Sequence, residues 1–477
     1  MLLPAPASAE GSEGRGHLSI TAEGRVTSAR YSAFPVDRTG AQSPEADERS
    51  ARARLIFALE KDGGRDGMTW EAEVEAGLVD GALSGQPLLA GDDLPGDEVR
   101  DSELHAAWLS VRKGRKLGLK VGLMGSDWGL GLVANSGTDP KPGVEGWFKQ
   151  PRVGDRVLRV ALFGMPVPSL LLVAAADQVW EDDIASYSEG DRARQGVFAV
   201  RQFFARDRWI GMYVVRREQE EDDGKTLSAM VADIAADFTF DGWRARFEGA
   251  LITGETTLGA TRDHPTHNLV RYASALRLIG NLGGGLTADL EGAWLSGDET
   301  MDDGTSSAFK ADRNFQQGLV LYPRVLATWS GRARRNASNL DVVGVPADDL
   351  DKLSSDGALS GVVTLFPKLG WKASPGLEIY AGTLLSWATG DVLDPFNTRT
   401  GGGTPVNHLG RVAQSSYLGT EFDFGLRMSS TLPWNLGVAS VTAEYGVLAP
   451  GGGLAGLDEV HGGRLTLSLS ESQEKGR

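Results

Sequence analysis

The chain contains no cysteine, which excludes disulfide frameworks, thiolate metal sites and cysteine nucleophiles together. That absence suits a protein that crosses an oxidising periplasm unfolded. Long hydrophobic runs are missing as well. The longest, residues 170–176, falls far short of the ~20 residues a membrane helix needs. A barrel is untouched by this shortage, because one barrel strand takes only ~9–11 alternating residues. Positive charge is in deficit: Lys and Arg total 48 against 64 Asp and Glu, a net of −16. Phosphate binding needs a basic footprint, so nucleic acid is not an expected partner.

Catalytic and metal signatures are also absent. The six histidines stand at 17, 105, 264, 267, 408 and 461. The one close pair, His264 and His267, lies in a polar loop segment with no third ligand at helical spacing, which reads as surface loop rather than metal site. No nucleophile elbow, P-loop or H-E-x-x-H run occurs. The glycines of residues 280–285 form a turn and not a phosphate cradle, since no amphipathic helix follows. No catalytic residue, metal or cofactor is expected.

What the chain does have is a two-residue rhythm. In Met68-Thr69-Trp70-Glu71-Ala72-Glu73-Val74-Glu75-Ala76 the odd positions are polar and the even ones apolar. The rhythm returns in residues 230–240 and 286–294. Successive strand side chains point to opposite faces, so each such segment carries one apolar and one charged side. A soluble sheet buries the apolar side; a membrane barrel turns it to lipid and keeps the charges with water inside.

The connections decide between the two. Short links carry turn chemistry, as in Asp241-Gly242, residues 63–67 and residues 374–376, and Asp-Gly is a strong hairpin signal. Between them lie long polar stretches at 33–50, 79–101, 136–154, 181–192, 217–225, 256–267, 297–356, 389–414 and 449–460. Short and long links in alternation are the topology of an outer-membrane barrel with short periplasmic turns and long extracellular loops. The pattern predicts an all-β, antiparallel up-and-down transmembrane barrel of about 18 strands. These run over 16–27, 51–61, 67–79, 102–113, 115–134, 155–165, 169–180, 193–206, 208–217, 226–240, 243–255, 267–279, 285–297, 357–372, 376–388, 415–430, 435–448 and 461–471. Residues 1–9 read as the remnant of a secretory signal, with Ala7-Ser8-Ala9 as the small-x-small cleavage pattern, leaving 10–477 as one barrel domain. Among the twelve tryptophans, Trp70, Trp209, Trp243, Trp371 and Trp434 fall near short-turn ends, and Trp128, Trp180, Trp294 and Trp387 near long-loop ends. That placement suggests two aromatic girdles.

If the apolar stripe meets lipid, the other stripe lines a lumen. Its expected members are Arg52, Arg54, Glu71, Glu73, Glu75, Asp233, Asp237, Arg244, Arg246, Arg271, Arg277, Asp289, Glu291, Glu421, Asp423 and Arg427. A two-residue turn at Asp241-Gly242 would pair Phe240 with Trp243 and place Asp237 opposite Arg246. Opposite charges so placed contribute ~0.2–1 kcal/mol. Taken singly, each charge reads as a wall-stiffening ion pair; as a set they describe a wet, ionic interior. Acidic loop runs such as Asp92-Asp93, Asp97-Glu98, residues 181–183 and 218–223 either hold divalent cations that bridge lipopolysaccharide or keep the loops solvated. The 297–356 connection is too long for a plain link. It is expected to fold into or over the pore, with Arg332, Arg334 and Arg335 facing solutes; a lid on the outer rim or an extra strand pair is the alternative.

The stretch Gly122-Leu-Met-Gly-Ser-Asp-Trp128-Gly129-Leu-Gly131-Leu-Val-Ala-Asn135 resembles a segment of alginate-export-like outer-membrane barrels and their porin relatives, as do Leu418–Leu426 and Glu444–Gly451. The resemblance implies an 18-stranded pore passing a hydrophilic solute or polysaccharide. It carries over no substrate-binding residue, because alginate exporters have a strongly basic lumen and this one reads as mixed. Barrels of this kind usually end in an aromatic residue, whereas Leu465–Leu469 is followed here by a polar tail to Arg477. The expected function is a passive or facilitated channel with selectivity set by width and charge. Expected partners are outer-membrane lipid and lipopolysaccharide, hydrophilic small molecules or a polysaccharide, and the barrel-assembly machinery during insertion. The alternatives are a non-conducting scaffold or adhesion barrel working through its acidic loops, a barrel-embedded enzyme, and a soluble secreted β-sandwich.

Overall fold

Asp241 and Gly242 both take positive φ (44° and 81°), the backbone of the tight turn whose twist matches its flanking strands. The turn sets the register: Phe240 pairs with Trp243 and Asp237 with Arg246. The same logic runs along the whole chain in the computed structural model. It describes residues 16–476 except 44–46, 63–66, 85–99, 115, 139–142, 151, 261–262, 300–302, 339–354, 356 and 434–436. The signal remnant at 1–9, Trp434, Asp92-Asp93 and Asp97-Glu98 therefore lie outside the described residues.

Eighteen antiparallel strands close into one barrel. They are β1 Gly16–Tyr31, β2 Asp47–Asp62, β3 Met68–Ser84, β4 Arg100–Lys113, β5 Leu117–Gly125, β6 Arg156–Val167, β7 Leu170–Asp182, β8 Arg192–Ala205 and β9 Arg208–Glu220. The second half comprises β10 Thr226–Phe240, β11 Trp243–Thr256, β12 His267–Gly283, β13 Leu286–Leu295, β14 Val362–Ser374, β15 Leu377–Ala388, β16 Tyr417–Thr431, β17 Val438–Pro450 and β18 Val460–Gly476. Each pairs with its sequence neighbour, and β18 closes on β1 with Val26 opposite Leu467. Closure leaves no free sheet edge. Two-residue strands at Ala185–Ser186 and Thr305–Ser306 sit in the outer loops.

The two faces separate as the alternation requires. On β6, Leu158, Val160 and Leu162 are about half exposed (50%, 51% and 53%) while Val157, Arg159 and Ala161 between them are buried. On β18, Leu465, Leu467 and Leu469 are likewise outward. An apolar exterior of this extent is a lipid-facing surface rather than a water-facing one. Among the described residues no helix is long and apolar enough to cross a membrane; the crossing is made by strands.

Several expectations need correction. Strand β5 ends at Gly125 rather than 134, because Gly129 and Gly131 take left-handed φ (57° and 87°), which an extended strand does not hold. The chain then dives into the barrel. The polar tail after Leu469 belongs to β18, with Glu471 opposite Ala22 and Lys475 opposite Leu18. The girdle reading fails for two tryptophans. Trp128 is buried in the interior, stacked on Tyr213 at 5.4 Å, and Trp209 lies beside it at 6.0 Å. Trp70, Trp371, Trp180 and Trp294 do stand exposed on the outer face.

Candidate functional site

The lumen is not an open cylinder. Three loops fold inward and meet in one apolar cluster. It joins Phe34 and Val36 from the loop after β1, Leu132, Trp147 and Phe148 from the loop after β5, and Leu319–Tyr322, Val325 and Trp329 from the loop after β13. The wall is shaped to receive them. A side chain on Gly370 of β14 would place its Cβ 2.2 Å from the Trp147 ring, so only glycine lets that indole lie against the strand; the indole also stacks on Tyr380 at 5.3 Å.

The long loop after β13 folds into the pore as a turn of π-helix, Leu321–Leu326, followed by helix α1, Ala327–Ser338. The Val325 amide bonds back to the Val320 carbonyl at 2.9 Å, as a five-residue turn requires. Tyr322 meets the Ser386 hydroxyl at 2.5 Å and the Trp329 indole donates to the Pro35 carbonyl at 2.9 Å. The buried cation of this loop is Arg324, paired with Glu48 at 2.5 Å. Arg332 bonds Asp37 at 2.7 Å, so its charge is committed to the first loop rather than turned to solutes. Although burial pushes the other way, hydrogen bonds from Thr39 and Arg332 hold the Asp37 carboxyl below the usual range. Arg334 lines a separate, largely apolar cavity beside α1 with Trp329 and Ala333, and Arg335 sits in the last turn of α1. Part of this loop, 339–354, is outside the described residues.

The sixteen charged residues expected on the inner stripe are buried or half-buried in the barrel, and most are paired. Arg54 donates to Glu23 at 2.6 Å and reaches Glu75 at 3.2 Å. Arg52 stands 3.7 Å from Asp80, and Glu71 lies 3.7 Å from Arg112. Glu73 accepts from the Trp108 indole at 3.1 Å. Asp237, though opposite Arg246 in register, bonds Arg244 at 2.7 Å and stays 3.7 Å from Arg246. Arg246 instead donates to the Gly129 carbonyl at 2.8 Å. Arg271 donates to Ser306 at 2.6 Å, and Arg427 reaches Glu378 at 3.3 Å. Arg277, Asp289 and Glu291 form one network, completed by Lys368, which the inner-stripe reading missed. Asp233 and Glu421 bind the inner loops, Asp233 through Trp128 and Glu421 through backbone amides, with Asp423 two residues along β16. Also missed were the buried pairs Arg159–Asp177 and Arg464–Glu444. Both follow the same alternation: Arg159 lies between apolar outward residues of β6, and Glu444 opens the 444–451 stretch.

Two solvent spaces flank the plug along the wall of β1, β2 and β18. The outer one encloses about 1750 Å³ including its open mouth. It is lined by arginines, among them Arg49 and Arg313, and by Asp155, Asp182, Asp183 and Asp312, with Arg313 paired to Asp183. The inner one, about 1190 Å³, holds Arg25, Arg52, Arg54, Lys149, Arg427 and Arg464 against only Glu23 and Glu444. Arg25, Arg52, Gln150 and Arg464 line both. Arg464 ties this neck together by donating to the Gln150 side chain at 3.3 Å and the Lys149 carbonyl at 3.2 Å. Burial pushes the Lys149 ammonium down from 10.5 to about 8, against the pull of Glu291.

No family model and no curated protein matches the chain. Its structure is similar to solved porins. OccK9 (OpdG) of Pseudomonas aeruginosa aligns with TM-score 0.52 at 11% identity over 96% of this chain and 98% of that one. OccK2 (OpdF) of the same organism gives 0.50 at 11% over 96% and 98%. A BenF-like porin from Pseudomonas fluorescens Pf-5 gives 0.50 at 12% over 96% and 99%. At such identities the likeness shows the fold alone, a closed 18-stranded antiparallel β-barrel of the kind these porins have.

Proposed function

We propose that this protein is an outer-membrane channel for small hydrophilic solutes, with a preference for anions. The observation that carries the reading is the neck: two solvent spaces, one on each side of the plug, share four lining residues, and three of them are arginines. A passage bounded by a barrel wall on one side and inner loops on the other suits single small molecules better than a polymer. The inner space is lined by six cations and two carboxylates, and an excess of one sign biases the field along a low-dielectric conduit. The overall charge of −16 does not oppose this, since exposed loop charges are largely screened beyond about 8 Å at physiological salt. Contacts with lipopolysaccharide and with the barrel-assembly machinery belong to the same proposal, as corollaries of residence in that membrane.

Planar-bilayer recording in a salt gradient tests it. Steady current with a reversal potential on the anion side is expected. A folded barrel that stays silent would favour the scaffold reading instead. Liposome swelling should rank small organic acids above neutral sugars of equal size.

The pH dependence has a defined sign. Lys149 is charged below about 8 and neutral above it, so anion preference should fall as pH rises through that value. Lys149→Gln should flatten the pH profile and start from the weaker preference. An identical profile in both proteins would remove Lys149 from the conduit.

A further inference from the structure

Two buried carboxylates on different walls hold the inner loops in the same way. Glu248 of β11 receives the backbone N–H groups of Leu130, Gly131 and Leu132, the last two at 2.9 and 3.1 Å. Glu421 of β16 receives those of Leu319, Val320 and Leu321, the last two at 2.8 and 2.7 Å. Both side chains are 0% exposed. Successive amides turned to one side form a concave seat for an anion.

The loop sequences are fitted to that anion. Gly129 and Gly318 take φ of +57° and +74°, a conformation glycine holds without steric cost. A Cβ on Gly129 would lie 2.4 Å from a Glu248 carboxylate oxygen, and one on Gly318 2.8 Å from a Glu421 oxygen. Any other residue would displace the carboxylate or the loop.

Each seat is backed by a second acid, Asp233 beside Glu248 and Asp423 beside Glu421, both also 0% exposed. Register sets the acids of each pair side by side on the inner face: Asp233 is opposite Ala250 and Glu248 opposite Ala235 across β10 and β11, and Asp423 is two residues from Glu421 on β16. Among the described residues, neither oxygen of Asp423 and only one oxygen of Asp233 meets an N–H or hydroxyl. Two adjoining buried carboxylates cannot both be ionised, so such a contact is satisfied when one proton sits between them. With the second acid donating to the glutamate, the glutamate oxygens are left to accept from the three amides.

We infer that Glu248–Asp233 and Glu421–Asp423 are paired proton-sharing latches that position the two inner loops and thereby set the bore. Glu248 and Glu421 are positioning residues: they touch loop backbone and not the conduit. The statement about bore rests on the channel reading; the latches themselves do not.

Hydrogen exchange on the full-length barrel in lipid nanodiscs, read beside single-channel current, tests the inference. In the wild type, the amides of 130–132 and 319–321 should be protected. Glu248→Ala should speed exchange at 130–132 by about tenfold or more, since hydrogen bonds to a charged acceptor are the stronger kind, and leave 319–321 unchanged. Glu421→Ala should do the converse. If either alanine variant fails to insert, the Glu→Gln variant, which keeps shape but not charge, should show intermediate exchange. Asp233→Asn and Asp423→Asn should keep protection, because the amide N–H donates where the shared proton did. Fast exchange at these amides in the wild type, or no change on Glu→Ala, overturns the latches; loss of protection in the Asp→Asn variants overturns the shared proton. A protected but silent barrel sinks the channel reading and leaves the latches standing, whereas a conducting barrel without protection does the reverse.

Discussion

Replacing residues 318–338 by a short Gly–Ser link should raise single-channel conductance several-fold and weaken anion preference. The excised segment supplies Leu319, Val320, Leu321, Tyr322, Val325 and Trp329 to the apolar plug. The wall does not depend on it, because β13 pairs directly with β14 from Leu286–Trp371 to Trp294–Val363 and each strand is hydrogen-bonded on both sides. An 18-stranded barrel without such filling has room for an aqueous channel. Current would then cross a wide mixed-charge lumen rather than the arginine-lined neck, and selectivity would fall with the rise in conductance. Heat-modifiable mobility in detergent gels confirms that the variant still folds. Unchanged conductance in a folded variant would mean that the conduit does not run beside the plug.

The electrostatics of this molecule divide by location. Pairs such as Arg159–Asp177, at 2.7 Å with side chains 1% and 0% exposed, lock neighbouring strands and leave no charge to spare. In the inner space along β1, β2 and β18 six cations face two carboxylates and the lining is open to solvent. Pairing consumes the charge of the first group, whereas the second lines open space. An interior can therefore carry many charges yet present only a few to a solute.

This division explains what the sequence disclosed and what it hid. Period-two alternation gives the facing of each residue, and turn chemistry gives register, which is why Asp237 and Arg246 come out opposite each other. Register does not choose between neighbours on one face; Asp237 bonds Arg244 because a carbonyl of the inner loop captures Arg246. Alternation also says nothing of where a loop lands. The Glu248 contact with Gly131 spans 117 positions and that of Glu421 with Val320 spans 101, and no local pattern encodes either. The Trp-Gly-x-Gly run at 128–131 reads as a strand rising into an outer loop; its left-handed glycines fold it inward instead. Trp128, which local position places at a membrane girdle, is buried against Asp233 at 2.8 Å. Arg332 shows the same limit in reverse: exposure is the natural expectation for a basic run in a long loop, yet its partner Asp37 lies 295 positions away.

Lys368→Met should destabilise the barrel by ~3–5 kcal/mol, the cost of breaking a buried ion pair from one side. The Lys368 ammonium, at 0% exposure, lies 2.8 Å from Asp289 and 2.8 Å from Glu291. Arg277 serves the same two carboxylates at 2.8 and 3.0 Å, and Lys149 of the inner loop adds a contact to Glu291 at 3.5 Å. Cross-strand register builds this cluster: Arg277 is opposite Glu291 and Asp289 opposite Lys368. Methionine keeps the volume and removes the charge, leaving two buried carboxylates to one guanidinium and a more distant ammonium. The expected result is a lower urea midpoint in lipid vesicles, followed by tryptophan fluorescence. Adding Glu291→Gln to Lys368→Met should recover most of the loss, because the surplus negative charge is then gone. A single variant as stable as the wild type would show that Lys368 is dispensable and that water or Lys149 neutralises the pair. Because Glu291 also holds Lys149, the double variant, which removes that carboxylate, should change conductance noise as the inner loop loses its tie to β13.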